Sequence, residues 1–182
     1  MSLFDIEQLR WQNAVLREKN WATNERKLKQ SRWFFLVSTR YKPTSEIDRE
    51  QKKQYCDEIM QEFKDEIGQI VTINRKTHTW TSDYIVDVVI RYVVETGRGK
   101  LKLDGTRGKS GGQMHIHVDV SIYHHTNISL TYEALYAFFQ PRIWRYFGIE
   151  KPFVSRPRLI PADRVKEYME KSFENAVWKT VE

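Results

Sequence analysis

The stretch QMHIHVDVSIYH, residues 113–124, decides the fold because its apolar and polar side chains alternate. Alternation with a period of two places successive side chains on opposite faces of a β-strand. The stretch therefore predicts a strand with one face in a core and the other face available for chemistry. The apolar row consists of Met114, Ile116, Val118, Val120 and Ile122, and the polar row consists of His115, His117, Asp119 and Ser121.

Strand patterns also occur on both sides of this stretch. The short apolar run WFFLVST at residues 33–39 predicts a buried strand, and residues 84–96 predict a longer one. Residues 69–74 match a short strand. Residues 153–160 match an edge strand, because Pro157 lacks the N–H group that a central strand would donate.

Helical patterns separate these strands. Ser45 is a predicted N-cap, with Asp48 completing a weak capping box, and the helix that follows is expected to end at Gly68. A second helix is expected over residues 130–147, with Pro141 breaking or restarting it. A third helix is expected after the edge strand. Strands joined by hairpins, with helices between them, predict an α+β fold with a central antiparallel sheet flanked by helices.

The first residues differ in composition from the rest of the chain. Residues 1–32 are polar, with an irregular apolar stripe that predicts one or two helices. We interpret them as a helical N-terminal arm, which either covers part of the core or contacts nucleic acid or a second chain. Residues 33–182 have a suitable length for one domain.

A long loop is expected at residues 97–112, which hold six of the eight glycines in the protein. A loop of this length inside a domain is usually functional or disordered. Its basic residues suit a phosphate backbone, although the same charges would also keep an ordinary solvated loop soluble. We call it the basic loop; its basic residues are Arg98, Lys100, Lys102, Arg107 and Lys109.

Composition limits the class of protein. Apolar residues make up 40% of the 182 residues, which is enough for a sizeable core, and the 13% of aromatic residues excludes wholesale disorder. The single cysteine, Cys56, excludes an intramolecular disulfide framework and a multi-cysteine zinc site. No apolar run suits a membrane span and the first residues do not resemble a signal peptide, so we expect an intracellular protein. The 30 Lys and Arg against 24 Asp and Glu, a net charge of +6, favour a polyanionic partner.

The paired histidines are the strongest candidates for chemistry. His115 and His117 share a strand face with their Cα atoms about 6.5–7 Å apart, a separation at which neutral imidazoles bind one divalent cation. If residues 84–96 form the hairpin neighbour, Glu95 is a third ligand that leaves positions for water and a phosphate oxygen. Asp119 is the alternative carboxylate, and with it the pattern resembles the His-x-His-x-Asp of other metallohydrolases. The simpler alternative is that the histidines are hydrogen-bonded structural residues.

Two residues of the last predicted helix form a second candidate pair. Tyr168 and Lys171 lie three residues apart, so they share a helix face. A tyrosine beside a lysine and facing a cation would act as a nucleophile, because positive charge favours the phenolate. The helix alone favours the simpler interpretation, which is an amphipathic tyrosine at the edge of an apolar stripe and a solvated lysine.

Three stretches, in order, resemble the HUH endonucleases, specifically the replication-initiator (Rep) group that starts rolling-circle replication. Residues 34–43 resemble the first motif, an apolar strand that ends in small polar residues. His115-Ile116-His117 matches the paired histidines that give the family its name. Residues 165–171, VKEYMEK, resemble the Tyr-x-x-Lys motif of the family. The resemblance covers roughly residues 33–175.

This resemblance implies a fold, an activity and the roles of five residues. The fold is the ferredoxin- or RNA-recognition-like core of an HUH-type nuclease domain. The activity is metal-dependent, site-specific nicking of single-stranded DNA, which makes the protein an endonuclease and nucleotidyltransferase of DNA replication. His115, His117 and Glu95 would hold Mg²⁺ or Mn²⁺ against the scissile phosphate. Tyr168 would attack it, forming a covalent 5′-phosphotyrosine link, while Lys171 positions the phosphate or supports the phenolate.

The resemblance also implies partners. Arg40 and Lys42, after the first predicted strand, and the basic loop are expected to contact the single-stranded DNA of an origin hairpin. A separate helicase or polymerase is an expected partner. The expected location is the host nucleus for a eukaryotic virus and the cytoplasm otherwise. The alternative function is a non-catalytic, RNA-recognition-like module that binds single strands, which explains the charge and the aromatic content but leaves the paired histidines unexplained.

Overall fold

The computed structural model describes residues 28–73, 76–77, 85–97, 111–160 and 177–181. The elements in chain order are β1 (Lys29–Ser38), α1 (Glu46–Ile70), β2 (Thr72–Ile73), β3 (Lys76–Thr77), β4 (Ile85–Thr96), β5 (Met114–His124), β6 (Ile128–Ser129), α2 (Tyr132–Phe147), β7 (Phe153–Val154), β8 (Arg158–Leu159) and β9 (Lys179–Thr180). They form an α+β fold with a central antiparallel sheet, which confirms the predicted fold class.

Strand β5 lies at the centre of the main sheet. Among the described residues the sheet has six strands, in the order β7-β1-β5-β4-β9, and β8 also pairs with β1. Both long neighbours, β1 and β4, run antiparallel to β5, so the predicted hairpin between β4 and β5 is confirmed. The short strands β2, β3 and β6 form a separate three-stranded sheet.

The main sheet has two chemically different faces, as the alternation in β5 predicts. On the core face, every apolar residue of the β5 row is fully buried. Phe35 of β1 contacts Phe63 of α1 and Phe139 of α2 with ring centroids 5.9 Å apart in both cases. Burying a side chain of this size stabilises the fold by roughly 1.5–3 kcal/mol, so one core holds the sheet and both helices together. The opposite face carries His115 and His117, and we call it the histidine face.

Helix α1 begins where the sequence predicts and ends later. The hydroxyl of Ser45 accepts from the backbone N–H of Asp48 at 3.1 Å, which confirms the N-cap. The Asp48 carboxylate accepts instead from Thr44 and Tyr41, so the return half of the predicted capping box is not formed. The prediction that the helix ends at Gly68 is wrong, because the helix continues to Ile70. Gly68 is buried in the last turn, and burial of its apolar neighbours outweighs the cost of about 1 kcal/mol for a helical glycine.

Helix α2 is continuous through Pro141, so the predicted break does not occur. Proline removes one backbone hydrogen bond, but buried residues on both sides of it hold the two halves against the same core. Thr131 caps the start of the helix, and Gly148 ends it in the left-handed conformation with φ of 68°. The buried residues of the helix are Leu135, Phe138, Phe139, Ile143 and Phe147.

Three further boundaries differ from the sequence prediction. Strand β1 begins at Lys29 rather than at residue 33, so residues 29–32 belong to the sheet and not to the arm. The predicted strand at residues 69–74 is reduced to β2, because α1 extends into it. The predicted edge strand is confirmed as an edge, but it is divided into β7 and β8 on either side of Pro157.

Several predicted features fall outside the described residues. These are the third helix, residues 98–110 of the basic loop and residues 1–27 of the arm. Neither of the helices that the structure describes is long and apolar enough to cross a membrane.

Candidate active site

The histidine face is organised in rows that run across β1, β5 and β4. The register places Glu95, His115 and His117 near the same end of the sheet, which is the end where the basic loop joins β4 to β5. The terminal row consists of Ser38, His115 and Glu95, the second row of Leu36, His117 and Val93, and the third row of Phe34, Asp119 and Arg91.

Glu95 and His117 are in direct contact. Glu95 stands opposite His115 in the register, but its carboxylate reaches diagonally to His117, with 2.8 Å between Oε1 and the imidazole Nε2. The His117 side chain is only 11% exposed, whereas that of Glu95 is 35% exposed. The Phe34 ring lies beside the His117 ring, with their centroids 6.1 Å apart. The carboxylate expected to join the histidines is therefore beside them.

Gly97 determines where the His115 ring can lie. A Cβ atom added at residue 97 would come within 2.4 Å of His115 Nε2 and 2.7 Å of its Cδ2. The Gly97 backbone continues the hairpin, donating to the carbonyl of Gln113 and accepting from Gly112. Sequence reasoning missed this residue because it counted Gly97 among the loop glycines. The signal was its position two residues beyond Glu95, just after the end of β4.

The surroundings of His115 favour its neutral form. Burial lowers the pKa of its imidazole, the neighbouring His117 lowers it further, and Glu95 opposes the shift. Its Nδ1 atom is buried and has no hydrogen-bond partner among the described residues. A neutral imidazole has a free lone pair on one nitrogen, which is the form that binds a metal ion.

The donor set fits the predicted divalent ion, although the side chains are not yet arranged around one. Two imidazoles and a carboxylate are suitable ligands for a first-row divalent cation. Within the described ranges, no group of three or more His, Cys, Asp or Glu side chains is assembled as a metal site. Glu95 and His117 bind each other, and His115 Nε2 is directed at Gly97. In this arrangement the three side chains do not yet surround one shared cation position.

Asp119, the alternative carboxylate, is fully engaged elsewhere. It is 1% exposed and lies between two guanidinium groups. Arg32 donates to both of its oxygens at 2.7 Å, and Arg91 donates at 2.7 and 3.1 Å. These charge-assisted bonds leave Asp119 in a structural role, so the His-x-His-x-Asp alternative loses its carboxylate.

The predicted DNA contacts are only partly within the described residues. Arg40 and Lys42 are both exposed at the end of β1. Arg40 has φ of 57°, a left-handed conformation that costs a non-glycine residue roughly 1 kcal/mol. The backbone on either side of it is bonded to Met114, through Thr39 and Tyr41, so Arg40 bulges outward beside the terminal row.

The other predicted residues lie outside the described part of the chain. Among them is the candidate pair Tyr168 and Lys171. The remainder are the basic residues of the basic loop, Arg98, Lys100, Lys102, Arg107 and Lys109.

Comparison with known proteins identifies no relative. No family model, no curated protein and no solved structure matches this chain. The functional argument therefore depends on the geometry of the histidine face and on the sequence motifs.

Proposed function

We propose that this protein is a metal-dependent, site-specific single-stranded DNA endonuclease and strand transferase that starts rolling-circle replication. The observation that supports this most is the meeting of Glu95 with His115 and His117 at one end of an antiparallel sheet. A purely structural histidine face does not need two imidazoles and a carboxylate in adjacent rows, because burying such groups costs free energy.

In this proposal the ion is held by the side chains of Glu95, His115 and His117. Imidazole nitrogens suit first-row transition metals, whereas Mg²⁺ prefers oxygen ligands, so this donor set favours Mn²⁺ over Mg²⁺. When bound, the ion polarises a phosphoryl oxygen and offsets the charge that develops on the phosphate. The Phe34 ring and the Glu95 carboxylate restrict the orientation of His117.

Cleavage in this proposal is a transesterification at Tyr168. Its phenolic oxygen, having lost its proton to solvent, forms a bond to phosphorus as the bond to the 3′-oxygen breaks. The 3′-oxygen leaves and takes up a proton as a free hydroxyl, and the 5′-phosphate stays on the tyrosine. Lys171 supplies positive charge to the phenolate or the phosphate. Because the phosphotyrosine link is a phosphodiester like the one that was cut, a 3′-hydroxyl can reverse the step and join strands.

A second function is favoured by one contact. The hydrogen bond to Glu95 gives the Nε2 atom of His117 a partner without a cation, as expected of a non-catalytic module that binds single strands on its sheet. The two functions differ in one product, since only the endonuclease becomes covalently attached to DNA.

The test is a covalent-adduct assay with a labelled origin-type hairpin oligonucleotide and Mn²⁺. We expect a protein–DNA band that resists denaturation, and mass spectrometry should find the phosphate on Tyr168. The Tyr168→Phe variant should bind the oligonucleotide and form no adduct. The matched control is Tyr146→Phe, because Tyr146 is stacked on Tyr55 of the helical layer and should not affect the reaction. No adduct from the natural protein on any single-stranded hairpin would leave the binding module as the function, and an adduct in Tyr168→Phe would reassign the nucleophile.

A further inference from the structure

An exposed aromatic ring extends the terminal row of the histidine face. Phe153 of β7 pairs with Ser38 of β1, and Ser38 pairs with His115. Phe153 is 47% exposed, whereas the next residue, Val154, is 2% exposed and packs into the core. The ring is therefore on the same face as His115, two strand spacings or about 10 Å away.

Exposed positive charge follows the same edge of the sheet. Arg158 of β8 pairs with Phe34, so it extends the third row on the histidine face, and Arg156 lies between β7 and β8. Both arginines are exposed, and neither forms an ion pair with a described carboxylate. Arg40 bulges outward at the end of β1. We call Arg40, Phe153, Arg156 and Arg158 the edge surface.

The edge surface is not explained by folding alone. Charged residues and proline commonly protect the edge of a sheet against pairing with another chain, and Pro157 with its flanking arginines fits that role. An exposed phenylalanine works against it, because an apolar ring at a sheet edge promotes association. Within residues 149–160, which the structure describes, the single acidic residue is Glu150 before β7, so basic side chains predominate in this segment.

We infer that the edge surface binds the single strand that leads to the candidate active site. One base stacks on Phe153, and the backbone phosphates on its path lie against Arg156 and Arg158. Stacking on an aromatic ring tolerates any base, and arginines along a backbone path neutralise phosphates. The distance along β1 between the rows of Phe153 and Arg158 is about 13 Å, four residues of strand, so the path covers more than one nucleotide. This inference rests on the proposed function for the cleavage of the strand at the candidate active site. Binding of the strand to the edge surface does not itself require cleavage.

The test measures the dissociation constant of a fluorescent single-stranded oligonucleotide in chelator, where no nicking takes place. Phe153→Ala should weaken binding by about tenfold, and Phe153→Trp should restore it. Arg156→Ala with Arg158→Ala should reduce the slope of log K against log salt by about 1.4, since each phosphate contact contributes about 0.7 for a single strand.

Matched controls lie on helix α2. Trp144 is 57% exposed and the Arg145 side chain is 63% exposed, so Trp144→Ala and Arg145→Ala remove similar groups from a helix that packs on the core face. Binding should change by less than about twofold in both, and the unfolding midpoint of each variant shows whether it is folded. Unchanged binding in folded Phe153→Ala and in the double arginine variant would overturn the inference, as would equal losses in the controls.

The same variants separate this inference from the proposed function. If binding depends on Phe153 but no adduct forms with Mn²⁺, the inference about the edge surface is supported and the endonuclease proposal is contradicted. If Phe153→Ala forms the adduct with natural efficiency and binds the oligonucleotide with unchanged affinity, the endonuclease proposal is supported and the inference about the edge surface is contradicted.

Discussion

Glu95 links the two strands that carry the candidate active site. It stands opposite His115 in the register and contacts His117 along the diagonal, so a single carboxylate is within reach of both imidazoles. It orients the His117 ring through their hydrogen bond, and in the proposed function it would also supply an oxygen ligand to the cation.

His117 should be required for nicking. His117→Ala removes one of the three donors, so we expect the nicking rate in Mn²⁺ to fall by more than about 100-fold, as it should for the natural protein in chelator. The matched control is His125→Ala, a histidine in the turn after β5 that should leave the rate unchanged. The measurement is the rate of product formation on a labelled hairpin. Full activity in chelator would remove the metal from the mechanism.

Gly97 should act as a positioning residue for His115. Gly97→Ala places a methyl group where the imidazole lies, so the affinity for Mn²⁺ should fall by about 10–100-fold. Stability should change by no more than about 1 kcal/mol, because alanine suits a strand end better than glycine. A calorimetric Mn²⁺ titration, with NMR of the His115 ring, measures the effect, and Thr96→Ala is the control on the neighbouring exposed residue. An unchanged affinity would show that the ring can turn freely.

At the scale of elements, one buried carboxylate joins three strands. Asp119 of β5 accepts from Arg32 of β1 and from Arg91 of β4. The sheet is continuous without this contact, but the three side chains connect the centre of the histidine face to both neighbouring strands. Asp119 therefore has a structural function that its position in a His-x-His-x-Asp pattern does not indicate.

Removing the Asp119 carboxylate should lower the stability of the fold. Asp119→Ala leaves the Arg32 guanidinium, whose side chain is 14% exposed, without its partner, so the free energy of unfolding should fall by about 3 kcal/mol or more. Asp87→Ala on β4 is the control. Because Asp87 is exposed, this substitution should change the free energy of unfolding by less than about 0.5 kcal/mol. Urea unfolding measures both. A small loss in Asp119→Ala would mean that the two arginines are already well solvated.

The two faces of the main sheet separate the apolar core from the candidate active site. The core face holds both helices, through contacts such as those of Phe63 with Phe35, Phe138 and Phe139, and the histidine face holds the candidate ligands. Because the two sets of side chains point in opposite directions from the same strands, changes on one face act on the other only through the backbone.

Phe63→Ala should test this separation. The ring is fully buried, so its loss should lower the free energy of unfolding by about 3–5 kcal/mol. At a temperature where the variant is still folded, its affinity for a single-stranded oligonucleotide should stay within about twofold of the natural protein. The control Ile47→Ala removes a residue that is 84% exposed and should change neither quantity. A specific loss of DNA affinity in folded Phe63→Ala would contradict the separation.

The amino-acid sequence by itself determined those features of the fold that depend on local periodicity. The alternation over residues 113–124 predicted a strand and assigned the two histidines to the same face, and the hairpin pattern predicted that Glu95 would lie beside them. These predictions succeeded because the two-residue repeat of a strand is a property of neighbouring residues. Ser45 as a helix cap belongs to the same class, since a cap involves one turn of chain.

Only the tertiary structure decided which groups are paired, because pairing depends on register and burial between segments far apart in sequence. It placed Glu95 on His117, enclosed Asp119 between two arginines and laid the His115 ring over Gly97. Helix α1 also continues past Gly68, because burial of the last helical turn in the core outweighs the low helix propensity of glycine. Local sequence specifies on which face of a strand each side chain lies, whereas the neighbouring strands specify which partners that side chain contacts.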